Sequence, residues 1–455
     1  MKPLADSGKP IATEKTAAVK EKHPPLYTTY FYTAGEAVVH GYEAGTNVRI
    51  VSLEKGGTIW QGTVGEGETK TVSTGMGVFG FLSDKKAAIL VGTPTSCAVV
   101  GYFLKDQNGE FRSNHFFTQL PSSTYSNEEK VVVWAYEDAD VQVIDRKTGE
   151  VLHTKKLAGG EHLTMAGHDL VGNRVLEFKS EGSKIGVEVY YDEGFIVPAA
   201  NGRGSGHEFY TYVGSLTTGV NDLNILSQIS DANVTVTDLE TKQTIFKGTV
   251  KRGQIKTMTM AKKYVHVESD VSVNLVVAAF EHYKAGYAEH HFGTGIEGGG
   301  IDNDFLITTS GELWLFSYFD GNPVTVTNAQ TGEKVFEGTL NAGSVRGLKP
   351  GFGLFRVKAQ MGSSVMGGAS ACGADYSPAA GMFAVDEAMF DVIAQVRDER
   401  MKEAAKNGQT LSAAQADAPI TADEWSRHQD SLKAKNIRPM SLEEANQRAA
   451  AIEHQ

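Results

Sequence analysis

Residues 233–254 read "NVTVTDLETKQTIFKGTVKRGQ", and residues 323–344 read "PVTVTNAQTGEKVFEGTLNAGS". Two further versions of the same pattern stand at 47–68, "NVRIVSLEKGGTIWQGTVGEGE", and at 140–161, "DVQVIDRKTGEVLHTKKLAGGE". The anchor valines Val48, Val141, Val234 and Val324 are separated by steps of 93, 93 and 90 residues. Sixteen residues after each anchor stands an aliphatic residue (Val64, Leu157, Val250, Leu340), and nineteen after it a glycine (Gly67, Gly160, Gly253, Gly343). Matches at fixed offsets in four copies identify a tandem repeat of about 90 residues.

Within one copy the pattern is that of a β-hairpin. "VTVTN" alternates apolar and polar at period two, so one face is buried and the other wet. "TGE" supplies turn residues, "KVFEGTL" resumes the alternation, and the glycine at offset nineteen marks a turn where a Cβ is unfavourable. Strand-like runs precede each anchor ("AVVHGYE", "VVVWAYE", "LNILSQI", "LWLFSYF"), and more follow ("GVFGFLS", "AAILVGT", "VLEFKS", "IGVEVYY", "YVHVES", "VNLVVAAF"). The sum is about seven strands per copy. That count predicts an all-β chain of four β-sandwich-like modules, with a four-bladed propeller-like ring as the alternative, because a blade needs only four strands. The expected division is a flexible arm at 1–25, β repeats at 26–121, 122–214, 215–310 and 311–384, and a helical tail at 385–455. In the tail, Met389, Val392, Ile393 and Val396 share one helical face. Thr421 opens a second helix with acids in its first turn, and Ser441 with Glu444 forms a capping box for a third.

The bulk composition bounds the function. The chain has 455 residues and a net charge of −12, which gives a nucleic acid or an anionic membrane no electrostatic attraction. Two cysteines, Cys97 and Cys372, are too few for a disulfide framework or a multi-cysteine zinc site. No apolar run is long enough to span a membrane. The first 25 residues lack the apolar core of a secretory signal. Two localisations therefore stay open: cytoplasmic, or extracellular or periplasmic after removal of a signal.

The chemistry-bearing residues cluster at the ends of the copies: "FRSNHFFTQLP", "GRGSGHEFYTYVG" and "YKAGYAEHHFGTG". Counted from the anchors, His115 lies at 67, His207 at 66, and His290 and His291 at 56 and 57, whereas the fourth copy has Met382 and Phe383. If the copies ring an axis, these imidazoles converge and can hold a divalent metal, with His282 and Glu289 nearby in sequence. The competing reading makes each histidine a strand-closing residue bonded to the next unit; the drift in spacing and the missing fourth copy favour it. Glu297, Asp302 and Asp304 in "GTGIEGGGIDND" offer oxygen ligands for calcium or the acids of a solvated loop. Trp134, Tyr210 and Tyr212 can stack on a carbohydrate or pack a core. Asn233 begins an "NVT" glycosylation tripeptide. No nucleophile elbow or dinucleotide fingerprint is present.

Leu120, Pro121, Val141, Val143, Asp145, Thr148 and Gly149 form a Leu-Pro element followed by a "V-x-V-x-D…T-G" hairpin. This stretch of about fifty residues resembles the β repeats of IgGFc-binding-protein-type N-terminal regions. The resemblance implies an extracellular or cell-surface binding role rather than catalysis. The expectation is a non-catalytic structural or interaction protein that meets protein partners, or itself, through its β faces and helical tail. The alternative is a metal-dependent or carbohydrate-active enzyme with the histidine-rich ends lining one cavity.

Overall fold

The computed structural model describes residues 27–91 (apart from 34 and 86), 102–103, 114–120, 130–196 (apart from 171–173, 182 and 192), 206–213, 220–277 (apart from 228, 229 and 262), 291–292, 302–368 (apart from 310), 376–378, 396, 399–409 and 420–427. Four units follow one another. The first has β1 (Tyr27–Thr33), β2 (Glu36–Gly41), β3 (Thr46–Ser52), β4 (Thr58–Val64), β5 (Thr69–Ser73), β6 (Gly77–Ser83), β7 (Ala87–Val91) and β8 (Tyr102–Phe103). The second has β9 (His115–Gln119), β10 (Lys130–Ala135), β11 (Ala139–Asp145), β12 (Val151–Leu157), β13 (His162–Ala166), β14 (Val175–Ser180), β15 (Ile185–Tyr191) and β16 (Glu193–Ile196). The third has β17 (Gly206–Val213), β18 (Val220–Ser227), β19 (Ala232–Asp238), β20 (Thr244–Val250), β21 (Gln254–Ala261), β22 (Lys263–Val277) and β23 (His291–Phe292). The fourth has β24 (Asp302–Thr309), β25 (Leu313–Ser317), β26 (Asn322–Asn328), β27 (Lys334–Leu340), β28 (Val345–Leu348), β29 (Gly353–Gly368) and β30 (Tyr376–Pro378).

Every unit is a sandwich of two antiparallel sheets with one topology. In the first unit the orders are β1-β6-β3-β4 and β5-β2-β7-β8, and in the second β9-β14-β11-β12 and β13-β10-β15-β16. The third and fourth repeat these orders with one change: the sixth and seventh strands are fused into β22 and β29, which run from one sheet into the other. This is eight strand positions where the sequence predicts seven. The anchors explain the layering. β3, β11 and β19 share one alternation of buried and exposed positions, with Val48, Ile50, Val141, Val143, Val234 and Val236 inside.

The repeat glycines adopt one geometry. Gly67, Gly160, Gly253 and Gly343 have φ of 70°, 87°, 73° and 67°, the left-handed region that a Cβ disfavours. Their N–H groups donate to the carbonyls of Gly41, Ala135, Ser227 and Ser317, the same position in each unit. The hairpin turns repeat too. Asp145, Asp238 and Asn328 each accept a backbone N–H two residues on through Oδ1, at 2.8–2.9 Å, and so fix the turn.

Sheet pairing sets the seams between units before the histidine-bearing segments, not after them. β9, β17 and β24 lie in stretches that sequence reading assigns to the preceding repeat, yet they pair with β14, β22 and β29 of the following one. The physical reason is that each sixth strand pairs on one side with the anchor strand of its own unit, and the strand from the preceding connection satisfies the backbone groups of its other edge.

The strand order is not the meander of a propeller blade, but the units meet cyclically. β8 touches β16, β16 touches β23, β23 touches β30, and β30 touches β8. The first two units share one apolar core that takes in Leu226 and Val276 of the third. The third and fourth share Tyr210, Tyr212, Trp314 and Phe316. The fourth and first share Phe305, Leu306, Ile307, Val38, Ala88 and Leu90. Beyond the β body, helical residues 399–406 and 422–427 are joined by a two-pronged Arg400–Glu424 ion pair at 2.7 and 2.6 Å. Thr421 and Glu424 cap the second helix reciprocally. Val396, Ala404, Ile420 and Trp425 are buried. Among the described residues no helix is long and apolar enough to cross a membrane. Residues 1–25, Cys97, Cys372, Met389, Val392, Ile393 and the Ser441 capping box lie outside the described residues.

Candidate functional site

The chemistry of this chain collects where one unit's first sheet faces the next unit's glycine turn. The first strand of each unit offers one position to this contact, and the sixth strand offers a diagonal neighbour. The two positions hold Thr28 and Gly80, His115 and Glu177, Glu208 and His266, and Asp304 and Arg356. Three of the four are pairs of complementary polar groups.

In the second unit His115 Nε2 lies 2.7 Å from Glu177 Oε1, and Arg146 donates to Glu177 Oε2 at 2.9 Å. The hydrogen bond to His115, with Arg146 beside it, holds the Glu177 carboxyl below the ordinary carboxylate range. A Cβ on Gly253 of the third unit would lie 3.3 Å from Arg146. In the fourth unit Arg356 binds Asp304 through two bonds of 2.8 and 2.7 Å, and reaches Glu66 of the first unit at 2.5 Å. The first unit has no charge here. Instead Tyr30 stacks on Tyr136 of the second unit at 5.0 Å, and Tyr32 N–H donates to buried Glu188 at 2.8 Å.

The third unit is chemically distinct. His266 Nε2 is 3.1 Å from Glu208 Oε1, and its Nδ1 is 3.9 Å from Glu268 Oε2. Tyr210 stacks on the imidazole at 4.4 Å and donates its hydroxyl to Glu208 at 3.1 Å. Burial lowers the affinity of His266 for a proton and raises that of the Tyr210 phenolate, so both are neutral near pH 7. The fourth unit closes over this group: Tyr210 N–H donates to Tyr318 at 3.1 Å, and Gly343 sits against the Tyr210 ring.

The candidate residues read from sequence fall as follows. His115 is in the Glu177 pair. His207 lies in β17 and His291 in β23, with side chains outside the described residues; His290, His282, Glu289 and Glu297 are outside them altogether. Asp302 begins β24, and Asp304 is held by Arg356. Trp134 is fully buried, its ring over Gly186 on the paired strand and edge-on to Tyr30. Tyr212 is buried and stacked on Trp314 at 4.8 Å across the third contact. Asn233 lies in β19 with its amide engaged by Asp270 and Thr249.

Sequence reasoning missed Glu177, Glu208, His266 and Glu268. A signal existed: Gly80, His266 and Arg356 all stand 32 residues after their anchors. The second unit hides the match at 36, because a 3-10 turn, Gly167–Asp169, lengthens the path into β14.

No protein-family model matches the chain, and no curated protein does. Among solved structures, the Bacillus anthracis TIE protein aligns over 75% of this chain and 67% of its own, at 11% identity and a TM-score of 0.09. The tetra-tandem repeat in the extending region of a large adhesion protein aligns over 76% and 93%, at 11% identity and a TM-score of 0.09. Likeness of this degree carries no argument about fold or function.

Proposed function

We propose that the chain is a non-catalytic interaction protein that accepts an extended polypeptide segment from a protein partner on its open sheet edges. The observation that carries the reading is the fourth strand of each unit. β4, β12, β20 and β27 each end their sheet order, so one backbone edge is unpaired among the described residues. Such an edge is a template for an added strand. Three of them display the same exposed aliphatic residue, Ile59, Ile245 and Val335, between 38% and 39% accessible. On the opposite face Trp60, Phe246 and Phe336 each lie across the glycine two residues on.

The edges are not equivalent. β12 carries Lys155 and Lys156, β20 carries Lys247, and β27 carries Lys334, charges that oppose non-specific pairing. β4, "TIWQGTV", carries none. The first unit is therefore the favoured docking edge.

The test is selection of displayed peptides on the folded chain, followed by amide hydrogen exchange. Peptides of alternating apolar residues that slow exchange in 58–64, and that lose affinity for Ile59→Lys/Gln61→Lys at unchanged melting temperature, are expected. Binders that protect other surfaces, or ignore the double substitution, refute the reading.

A further inference from the structure

The four units share one fold around their edge strands but distribute charge there differently. In the first unit β4 and β5 end their two sheets and touch at one edge of the sandwich, as β20 and β21 do in the third. Twenty-two residues after each anchor, on the fifth strand, stand Lys70, Leu163, Lys256 and Arg346. Lys256 lies over the Phe246 ring at 5.0 Å, and Arg346 over the Phe336 ring at 5.2 Å, so these two cations are held by the aromatic of the facing edge strand. Lys70 is exposed and has no ion pair or ring partner among the described residues. The acids next to β4 along the chain are engaged: Glu54 with His162, Glu66 with Arg356, and Glu68 with the Gly65 N–H. The first unit thus sets an unengaged cation beside an uncharged edge, in a chain whose net charge is −12.

We infer, resting on the strand-edge reading above, that the segment accepted by β4 is acidic: a carboxylate on its inner face meets Lys70 in the mouth between the two sheets, and its outer face is apolar. The sheet registers fix where that carboxylate falls. Trp60 pairs with the core residue Ile50, so its side chain points into the sandwich. A partner residue set directly opposite Trp60 points the same way. Lys70 pairs with the core residue Val39 and enters the same space from the second sheet. In the third and fourth units the cation at this position reaches the ring at the Trp60 position, which puts Lys70 level with the partner residue beside Trp60. Sheets about 10 Å apart leave a span that a lysine and a glutamate bridge together. The partner residues on either side point outward, where Ile59 is 39% exposed and favours apolar neighbours. The other edges suit this segment less. On β12, Lys155 is bonded to the His162 carbonyl and Lys156 to Asp140. On β27, Lys334 is paired with Glu337. On β20, Lys247 stands at the Gln61 position and would meet the apolar outer face with a charge.

The test uses the full chain and three short synthetic peptides that alternate valine with glutamate, glutamine or lysine. Fluorescence anisotropy reads their affinity, and amide hydrogen exchange reads where they dock. The glutamate peptide is expected to slow exchange in 58–64 and to bind about threefold tighter than the glutamine peptide, a difference that high salt removes. Lys70→Glu, at an exposed position, is expected to reverse the order so that the lysine peptide binds best. Lys70→Met is expected to equalise the peptides while 58–64 stays protected. Lys256→Glu, at the matching position of the third unit, is expected to leave the wild-type order intact. Protection of 58–64 with no preference for glutamate, or an order that Lys70→Glu leaves unchanged, overturns this inference and leaves the strand-edge reading standing. Absence of protection in 58–64 by all three peptides overturns both.

Discussion

His40 makes the contact between the fourth and first units sensitive to mild acid. Its imidazole is fully buried, with Nε2 2.6 Å from Thr308 Oγ1 of the fourth unit. Burial pulls its pKa from 6.5 down to about 4. Above 6.5 the imidazole is neutral in the folded and unfolded chain, and pH has no effect through it. As pH falls below 6.5 the unfolded chain takes up the proton and the folded chain does not, so stability declines until the folded pKa is reached. At 1.36 kcal/mol per pKa unit the full loss is about 3 kcal/mol. Other groups report elsewhere. Asp238 and Glu424, both held down to about 2 by hydrogen bonds from Lys263 and Arg400, lose their contribution only as pH falls below their ordinary values. His162 and His266 are shifted down by burial and share the His40 window, so a matched variant is needed. His40→Gln keeps a polar group near Thr308 and removes the titration. Urea unfolding from about pH 7 to about pH 4 is expected to show the wild type losing about 3 kcal/mol more than the variant over that range. Parallel pH profiles for the two proteins would refute the assignment of His40 as a neutral residue locked into the last contact.

Further expectations concern the repeat and its ends. Gly67→Ala and Gly160→Ala both force a Cβ into the left-handed region at about 1–2 kcal/mol. Gly67→Ala is expected to melt lower, because its Cβ would stand 3.1 Å from the Ala329 carbonyl of the fourth unit, whereas Gly160 meets only the Tyr30 hydroxyl at 3.7 Å. Arg356→Met strands the buried Asp304 carboxylate and is expected to cost about 3–5 kcal/mol in chemical denaturation. Glu66→Gln removes only the exposed arm of that network and is expected to cost less than about 1 kcal/mol. Among the described residues, deleting 385–455 removes no member of the four apolar cores, whose described residues end at Met366, so the β body is expected to keep its melting transition. If the tail serves association, light scattering of the truncated chain shows lower mass or weaker partner capture; an unchanged result removes that role.

Much of the architecture was legible because a β-hairpin is a local object. Val48, Ile50 and their counterparts alternate along the chain, and the glycine nineteen residues on each anchor is needed for a local backbone reason. One sequence window contains the whole cause. The helix start at Thr421, with acids in its first turn, was readable for the same reason; the structure adds the reciprocal bonds between Thr421 and Glu424.

What lay beyond the sequence was every relation between elements distant along the chain. The segment holding His115 reads as the end of one copy, but the open edge of β14 draws it into the next. His115 and Glu177 are 62 residues apart, and Arg356 and Glu66 are 290 apart; no window contains either pair. Trp134 and Tyr212 have the composition of a ligand platform, and only the neighbouring units that cover them make them core. Alternation and turn chemistry act between near neighbours, so the sequence by itself determined the four hairpins and their number. Sheet-edge pairing and the burial of charge act between surfaces, so only the tertiary structure decided where the units divide, that the fourth meets the first, and that Glu208, His266 and Glu268 share one place.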